Sequence, residues 1–211
     1  VKHAVIVCHP NAQSFTVAVA RAYADAAAKL GHETIERDLY RLNFDPRLDA
    51  GEIPGPRGFA PRADVKMERA LLHDADVFAF FYPLWLNTPP AMLKGYMERV
   101  FGYGFAYGRG AGGNTPLLSP RKMISFSSSG APHEWMVQSG AWDAMRKLFD
   151  AHFAGVCGLQ FIDHVHFGHV TPGIRPDVVA AHLQTVRETL TRHFGSSKIG
   201  ENANGAQTHT P

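Results

Sequence analysis

One stretch, Asp76 to Phe101 (DVFAFFYPLWLNTPPAMLKGYMERVF), restricts the chain to few folds. Its apolar run, VFAFF, is too short for a free helix and suits a strand buried on both faces. A stiff turn from Tyr82 to Asn87 follows. Thr88 is placed to cap a helix whose first turn holds Pro89 and Pro90, where missing amide protons cost nothing. Met92, Leu93, Tyr96, Met97, Val100 and Phe101 recur at three and four, so one apolar stripe faces the sheet. Lys94 and Glu98 sit four apart on the polar side, in the weaker order for the helix dipole. Strand, aromatic loop and helix together form half of a ligand crevice, because ligands of open parallel sheets lie beyond the carboxyl ends of the strands. The prolines and Trp85 equally suit a merely stiffened connection, and this stretch alone leaves both readings open.

The rest of the chain repeats the pattern. His3 to Cys8 reads as a first strand, and Ser14 as the cap of a helix through Phe15, Val19, Ala22, Ala26 and Leu30 that stops at Gly31. Thr34 to Leu39 is a second strand. Tyr40 to Arg62, rich in proline, glycine and arginine, is a long loop of the kind that carries function or moves. Ala63 to His73 is a short helix leading into the organising strand. Gly108 to Thr115 reads as a flexible connection. Lys122 to Ser127 is a fourth strand, followed by a helix from Trp135 to Phe153 terminated by Gly155. Leu159 to Phe167 is a fifth strand, and a last helix runs from Pro176 to Gly195.

Alternating strands and helices predict an α/β three-layer fold. Right-handed crossovers and five parallel strands suit the flavodoxin-like order 2-1-3-4-5. That order gathers the loops after strands one, three and four around one crevice. Residues 1–195 are expected to form one domain, and 196–211 a small, polar, disordered tail.

Composition excludes several classes. The net charge is only +2 and no basic block stands out, so neither a nucleic-acid face nor a membrane-surface helix is expected. No apolar run approaches a bilayer span, and the chain starts directly in a strand without a signal peptide. Cys8 and Cys157 lie far apart in apolar surroundings and read as buried free thiols of a reducing compartment, hence a cytoplasmic protein. His164, His166 and His169 have no cysteine or carboxylate partner in sequence, and no metal is expected.

PLWLNTPPAMLKGYMERVF, followed closely by GFAY, resembles the flavin-loop signature of the NAD(P)H:quinone oxidoreductases, the DT-diaphorase-like and drug-modulator quinone reductases of the flavodoxin-like superfamily. The family form is close to P-L-x-W-F-x-x-P-A-x-L-K-G-W-x-x-R-V. Pro83, Leu84, Pro90, Ala91, Leu93, Lys94, Gly95, Arg99 and Val100 match in register. Leu86 and Asn87 stand where the family has Trp and Phe, with Trp85 one position earlier. The resemblance runs from about Val1 to Gly195, and it implies a flavin, NAD(P)H as co-substrate, a quinone-like acceptor and a homodimer.

Carried over residue by residue, the resemblance assigns the three loops. His9, Ser14, Phe15 and Thr16 match an H-x-x-x-x-S-F pattern whose relatives contact the flavin pyrophosphate. A helix N-terminus with added hydroxyls suits that phosphate, and the pattern favours FAD over FMN. Pro83, Leu84, Trp85, Leu86 and Asn87 would lie along the flavin ring, their amides directed at N5 and O4. Ser127, Ser128, Ser129 and Gly130 resemble a T-T-G-G segment whose amides face N1 and O2. Glu98 aligns with a family glutamate near the cofactor and equally suits a helix surface. Tyr107 aligns with an aromatic of the substrate pocket contributed across the dimer, and Arg109 suits a cofactor phosphate.

The main departure concerns charge settlement. The tyrosine and histidine that serve it in relatives are replaced here by Trp135 and Ala141. An indole cannot shuttle protons at neutral pH, so Trp135 reads as a stacking wall and His133 as a substitute acid–base or a plain loop residue. The expected function is two-electron, ping-pong reduction of quinones by NAD(P)H. The alternatives are a flavin-binding subunit of a potassium-efflux system and a flavodoxin-like electron carrier.

Overall fold

The computed structural model describes residues 1–56, 58–110 and 112–195; the expected polar tail lies outside them. Its elements are β1 (Lys2–Val7), α1 (Phe15–Lys29), β2 (Glu33–Asp38), α2 (Ala63–Leu72), β3 (Val77–Pro83) and α3 (Ala91–Val100). Next come β4 (Tyr107–Gly110), β5 (Gly113–Pro116), β6 (Lys122–Ser128), α4 (His133–Gln138) and α5 (Ala141–Met145). A π-helical segment (Arg146–His152), α6 (Phe153–Cys157), β7 (Gln160–Phe167) and α7 (Pro176–Phe194) complete the order.

The main sheet is parallel, in the order β2-β1-β3-β6-β7. This is the order expected, with β6 and β7 as the fourth and fifth strands. All seven residues of β3 are buried, as a central strand covered on both faces requires. Period-two alternation divides the strands between two cores. Ile6, Phe78, Phe80 and Tyr82 pack on one face with Leu93, Tyr96 and Met145. Val5, Val7, Ala79, Phe81 and Phe126 pack on the other with Val17, Tyr23 and Val186 from α1 and α7.

Four local expectations are corrected. Thr88 does not cap α3; Pro90 holds the cap position at φ −57°, ψ 150° and the helix begins at Ala91. A residue before proline is pushed out of the helical region, and Thr88 and Pro89 both precede one. Gly108 to Thr115 is no slack connection, because β4 and β5 pair as an antiparallel hairpin. The helix expected from Trp135 to Phe153 is broken at Gly140, which adopts φ 74°. It also does not stop at Gly155: the left-handed residue is Gly158, at φ 78°, with Leu159 N–H donating to the Ala154 carbonyl at 2.9 Å. That six-to-one bond closes a Schellman motif, which needs a left-handed residue just past the helix.

The long loop is pinned by an arginine. Arg99 is 1% exposed and grips Glu52 (2.8 and 3.0 Å), Asp64 (2.7 and 2.9 Å) and the Asp45 carbonyl (2.6 Å). Lys94 and Glu98 make the expected ion pair. Among the described residues no helix is long and apolar enough to cross a membrane. Cys8 and Cys157 are buried and unpaired, and burial pushes both thiols up to about 12.

Candidate active site

The loops after β1, β3 and β6 meet at the carboxyl end of the sheet. Leu84 N–H donates to the Ser128 carbonyl at 2.6 Å, joining the second and third loops. The His9 and Trp85 rings stand edge to face at 6.0 Å, joining the first and second. Phe15, Thr16, Tyr82, Ser127 and Ser128 line a tight crevice there that has no room for a water molecule.

In the first loop, Asn11 N–H donates to His9 Nδ1 at 3.0 Å, so Nδ1 is an acceptor and the other ring nitrogen is left for a ligand. Burial is the main cause that lowers the His9 pKa from its ordinary value. Ser14 caps α1, accepting from Val17 N–H at 3.3 Å. The preceding amides, of Phe15 and Thr16, point out of the helix end without intrahelical acceptors. The Phe15 ring itself packs edge-on against Phe167 at 5.4 Å. Arg41, which sequence reasoning passed over, donates to the His9 and Pro10 carbonyls at 3.0 and 2.8 Å. It brings a cation to the loop, and no local motif marks it because it arrives from the far side of β2.

The second loop is a two-residue turn. Trp85 and Thr88 exchange backbone hydrogen bonds of 3.0 and 3.1 Å, and Leu86 and Asn87 between them both have positive φ, 52° and 58°. That geometry normally recruits glycine or asparagine, and a leucine in it is strained. Leu86 is also 99% exposed, although its neighbour Leu84 is buried. Pro83 itself ends β3 and is buried.

In the third loop Ser127, Ser128 and Ser129 are buried. Two of their hydroxyls are already engaged: Ser127 Oγ lies 2.7 Å from His164 Nε2 and 2.8 Å from His166 Nδ1, and Ser129 Oγ lies 3.0 Å from His166 Nε2. His164 Nδ1 reaches Asp150 Oδ2 at 2.7 Å. This buried line of polar groups was not foreseen. Its signal is the pairing of S-x-S-x-S in β6 with H-x-H in β7, legible only once Ser125 is known to face His164 and Ser127 to face His166. Among the described residues no group of three or more His, Cys, Asp or Glu is arranged to hold a metal ion.

His133 opens α4, beside Trp142 (5.0 Å between centroids) and His166 (5.4 Å). Its Nδ1 is one of two buried side-chain nitrogens among the described residues that lack a partner. Trp135 is half exposed on the same helix. Gly130 lies between Ser129 and α4. The remaining expected residues sit elsewhere: Glu98 is in the third turn of α3, paired with Lys94, and Tyr107 and Arg109 are on the β4–β5 hairpin. Tyr107 packs near Tyr103 (6.3 Å), and Arg109 is exposed.

The family model for the flavodoxin-like fold matches residues 1–190. An uncharacterized NAD(P)H oxidoreductase of Haemophilus influenzae is 30% identical over 169 residues, 80% of this chain and 84% of its own. The chain belongs to the flavodoxin-like NAD(P)H:quinone oxidoreductase family. The NAD(P)H dehydrogenase [quinone] 1 of Rattus norvegicus is 28% identical over 222 residues, spanning 92% of this chain and 81% of that protein. The solved NAD(P)H:quinone oxidoreductase of Methanothermobacter marburgensis superposes with a TM-score of 0.77 at 27% identity, covering 91% of this chain and 97% of its own. Leu86 and Asn87, the two departures from the loop signature, are the two left-handed residues at the tip of the Trp85–Thr88 turn.

Proposed function

We propose that this family member is a flavin-dependent oxidoreductase that takes hydride from NADH or NADPH and delivers two electrons to a quinone-like acceptor. One observation carries the reading: the loops after β1, β3 and β6 are tied to each other around the capped N-terminus of α1. Flavin-bearing sheets of this order place their cofactor at that switch point.

The residues present fit such a group. The first amides of α1, with Ser14 and Thr16, would hold phosphate, and Arg41 supplies a nearby cation. Leu86 and Asn87 would present turn amides to the ring, and Gly130 would let the backbone of the third loop come close. The orphaned Nδ1 of His133 supports a ligand atom beside the third loop. The H-x-x-x-x-S-F pattern, His9 to Phe15, favours FAD over FMN. When bound, the flavin supplies the chemistry of accepting and releasing a hydride; the chain binds it, orients it and excludes water.

Residues 1–195 would form the catalytic unit, with donor and acceptor using one face in turn. The exposed apolar side chains of Trp135, Val137 and Leu148 support a second copy as partner, as in a homodimer. Buried, unpaired Cys8 and Cys157 fit a reducing cytoplasm. Steady-state kinetics with NADPH and a benzoquinone test the reading. Parallel double-reciprocal lines are expected, and intersecting lines would count against a shared site.

A further inference from the structure

We propose that Asp150, His164 and Ser127 are positioning residues that lock His166 with its proton on Nδ1, leaving His166 Nε2 and the Ser129 hydroxyl to hold the second proton of quinone reduction. This rests on the function proposed above.

With Asp150 taken as a carboxylate and His164 as a neutral ring, the distances give each link a direction. Asp150, only 1% exposed and within the π-helical segment, accepts as a carboxylate from His164 Nδ1 at 2.7 Å. A neutral His164 then accepts at Nε2, and the Ser127 hydroxyl 2.7 Å away must donate there. Having spent its single proton, Ser127 accepts from His166 Nδ1 at 2.8 Å. His166 Nε2 is thereby left as an acceptor, facing Ser129 Oγ at 3.0 Å. Ser129 has one proton and three acceptors in reach: His166 Nε2, the Ala131 carbonyl at 2.9 Å and the weaker Met136 Sδ at 3.6 Å. With His166 neutral the hydroxyl turns to the ring. Once Nε2 carries a proton, the hydroxyl turns to Ala131 and accepts from the ring.

That hydroxyl sits in the third loop, just ahead of α4. The overall reaction takes one proton beyond the hydride, which such a group can hold. NAD(P)H gives a hydride, two electrons and one proton, whereas a quinone takes two electrons and two protons to become a hydroquinone. The second proton enters from solvent, is held at Nε2, and leaves with the acceptor, so charge and atoms balance over the cycle. The groups facing His166 are His164 on its own strand and His133 on α4, with Asp150 one link further on and Arg146 at 3.7 Å from that carboxylate. Tyr82 of β3 stands behind His164 at 6.1 Å. Burial is the main cause that pushes His166 down to about 3, so the ring is neutral until negative charge arrives nearby.

Nitrogen-15 NMR of the full chain at pH 7, without added flavin, tests the lock. His166 is expected with Nδ1 protonated and Nε2 bare, and Ser127→Ala is expected to turn it into a tautomer mixture. A wild-type ring protonated on Nε2 would overturn the lock. The proton-holding role is read from a pH-indicator dye while NADPH reduces FAD-loaded protein without oxygen. Reduced FAD itself takes up protons as pH falls from 8 to 5, and wild type should take up more per hydride than His166→Gln over that range. Uptake unchanged in His166→Gln overturns the role. Absence of any NADPH reduction sinks the proposed function and the proton role with it, while the NMR result still judges the lock.

Discussion

Gly95 of α3 lies directly beneath the carbonyl of Pro46, so close that a Cβ at Gly95 would overlap the carbonyl oxygen. The long loop crosses the helix there. The glycine of the L-K-G stretch is therefore a packing requirement that holds Asp45 and Glu52 over Arg99. Gly95→Ala should destabilise by at least about 2 kcal/mol, the scale of overpacking where backbone must move. A urea melt reads this as a lowered midpoint at unchanged slope; a midpoint within error of wild type would contradict the crossing.

Arg99 gives the second prediction. It is fully buried among Glu52, Asp64 and a backbone carbonyl, so its removal leaves Glu52 buried and unpaired. Arg99→Ala should cost roughly 3–5 kcal/mol, the range for breaking a buried pair from one side. Arg99→Ala combined with Glu52→Gln should recover part of that loss. If the double variant is no better than the single one, the orphaned charge is not the cause.

Acid should weaken the fold through buried histidines. Burial, with His32 next, pushes His3 down to about 4, and burial pushes His166 down to about 3. The unfolded chain protonates each near its ordinary value of 6.5. Between those limits the unfolded state binds more protons, so stability is lost as pH falls. Each contributes a slope of up to about 1.4 kcal/mol per pH unit. Urea melts from pH 7.5 to 4.5 should show the decline setting in near pH 6.5, with His166→Gln less steep than wild type; a flat profile would contradict the assignment.

Leu86 is the fourth. Replacing it with glycine removes a left-handed strain of about 1–2 kcal/mol and costs part of that in chain entropy. Leu86→Gly should therefore unfold at equal or slightly higher urea while binding FAD more weakly. Weaker folding with unchanged FAD affinity would show that the turn serves stability alone.

The chain order of the fold was legible because its signals are local. VFAFF has no polar residue, and all of β3 is buried; Ser14 does cap α1. The β4–β5 hairpin was not, because GRGAGGNTP carries no apolar alternation and its pairing rests on backbone alone. The end of α6 was misread for a related reason: two glycines, Gly155 and Gly158, compete, and only backbone geometry tells them apart. The candidate loops were read from a resemblance carried by short contiguous motifs and from the strand order. The Asp150–His164–Ser127–His166 line was missed because its members come from three separate segments. Nothing in the sequence says which face of β6 meets which face of β7.

The visible spectrum of the purified chain, incubated with FAD and desalted, tests the central claim most directly. A retained yellow chromophore that NADPH bleaches without oxygen, and that a benzoquinone then restores, is the predicted result. A protein that stays colourless after exposure to both FAD and FMN would contradict a flavin site at the joined ends of β1, β3 and β6.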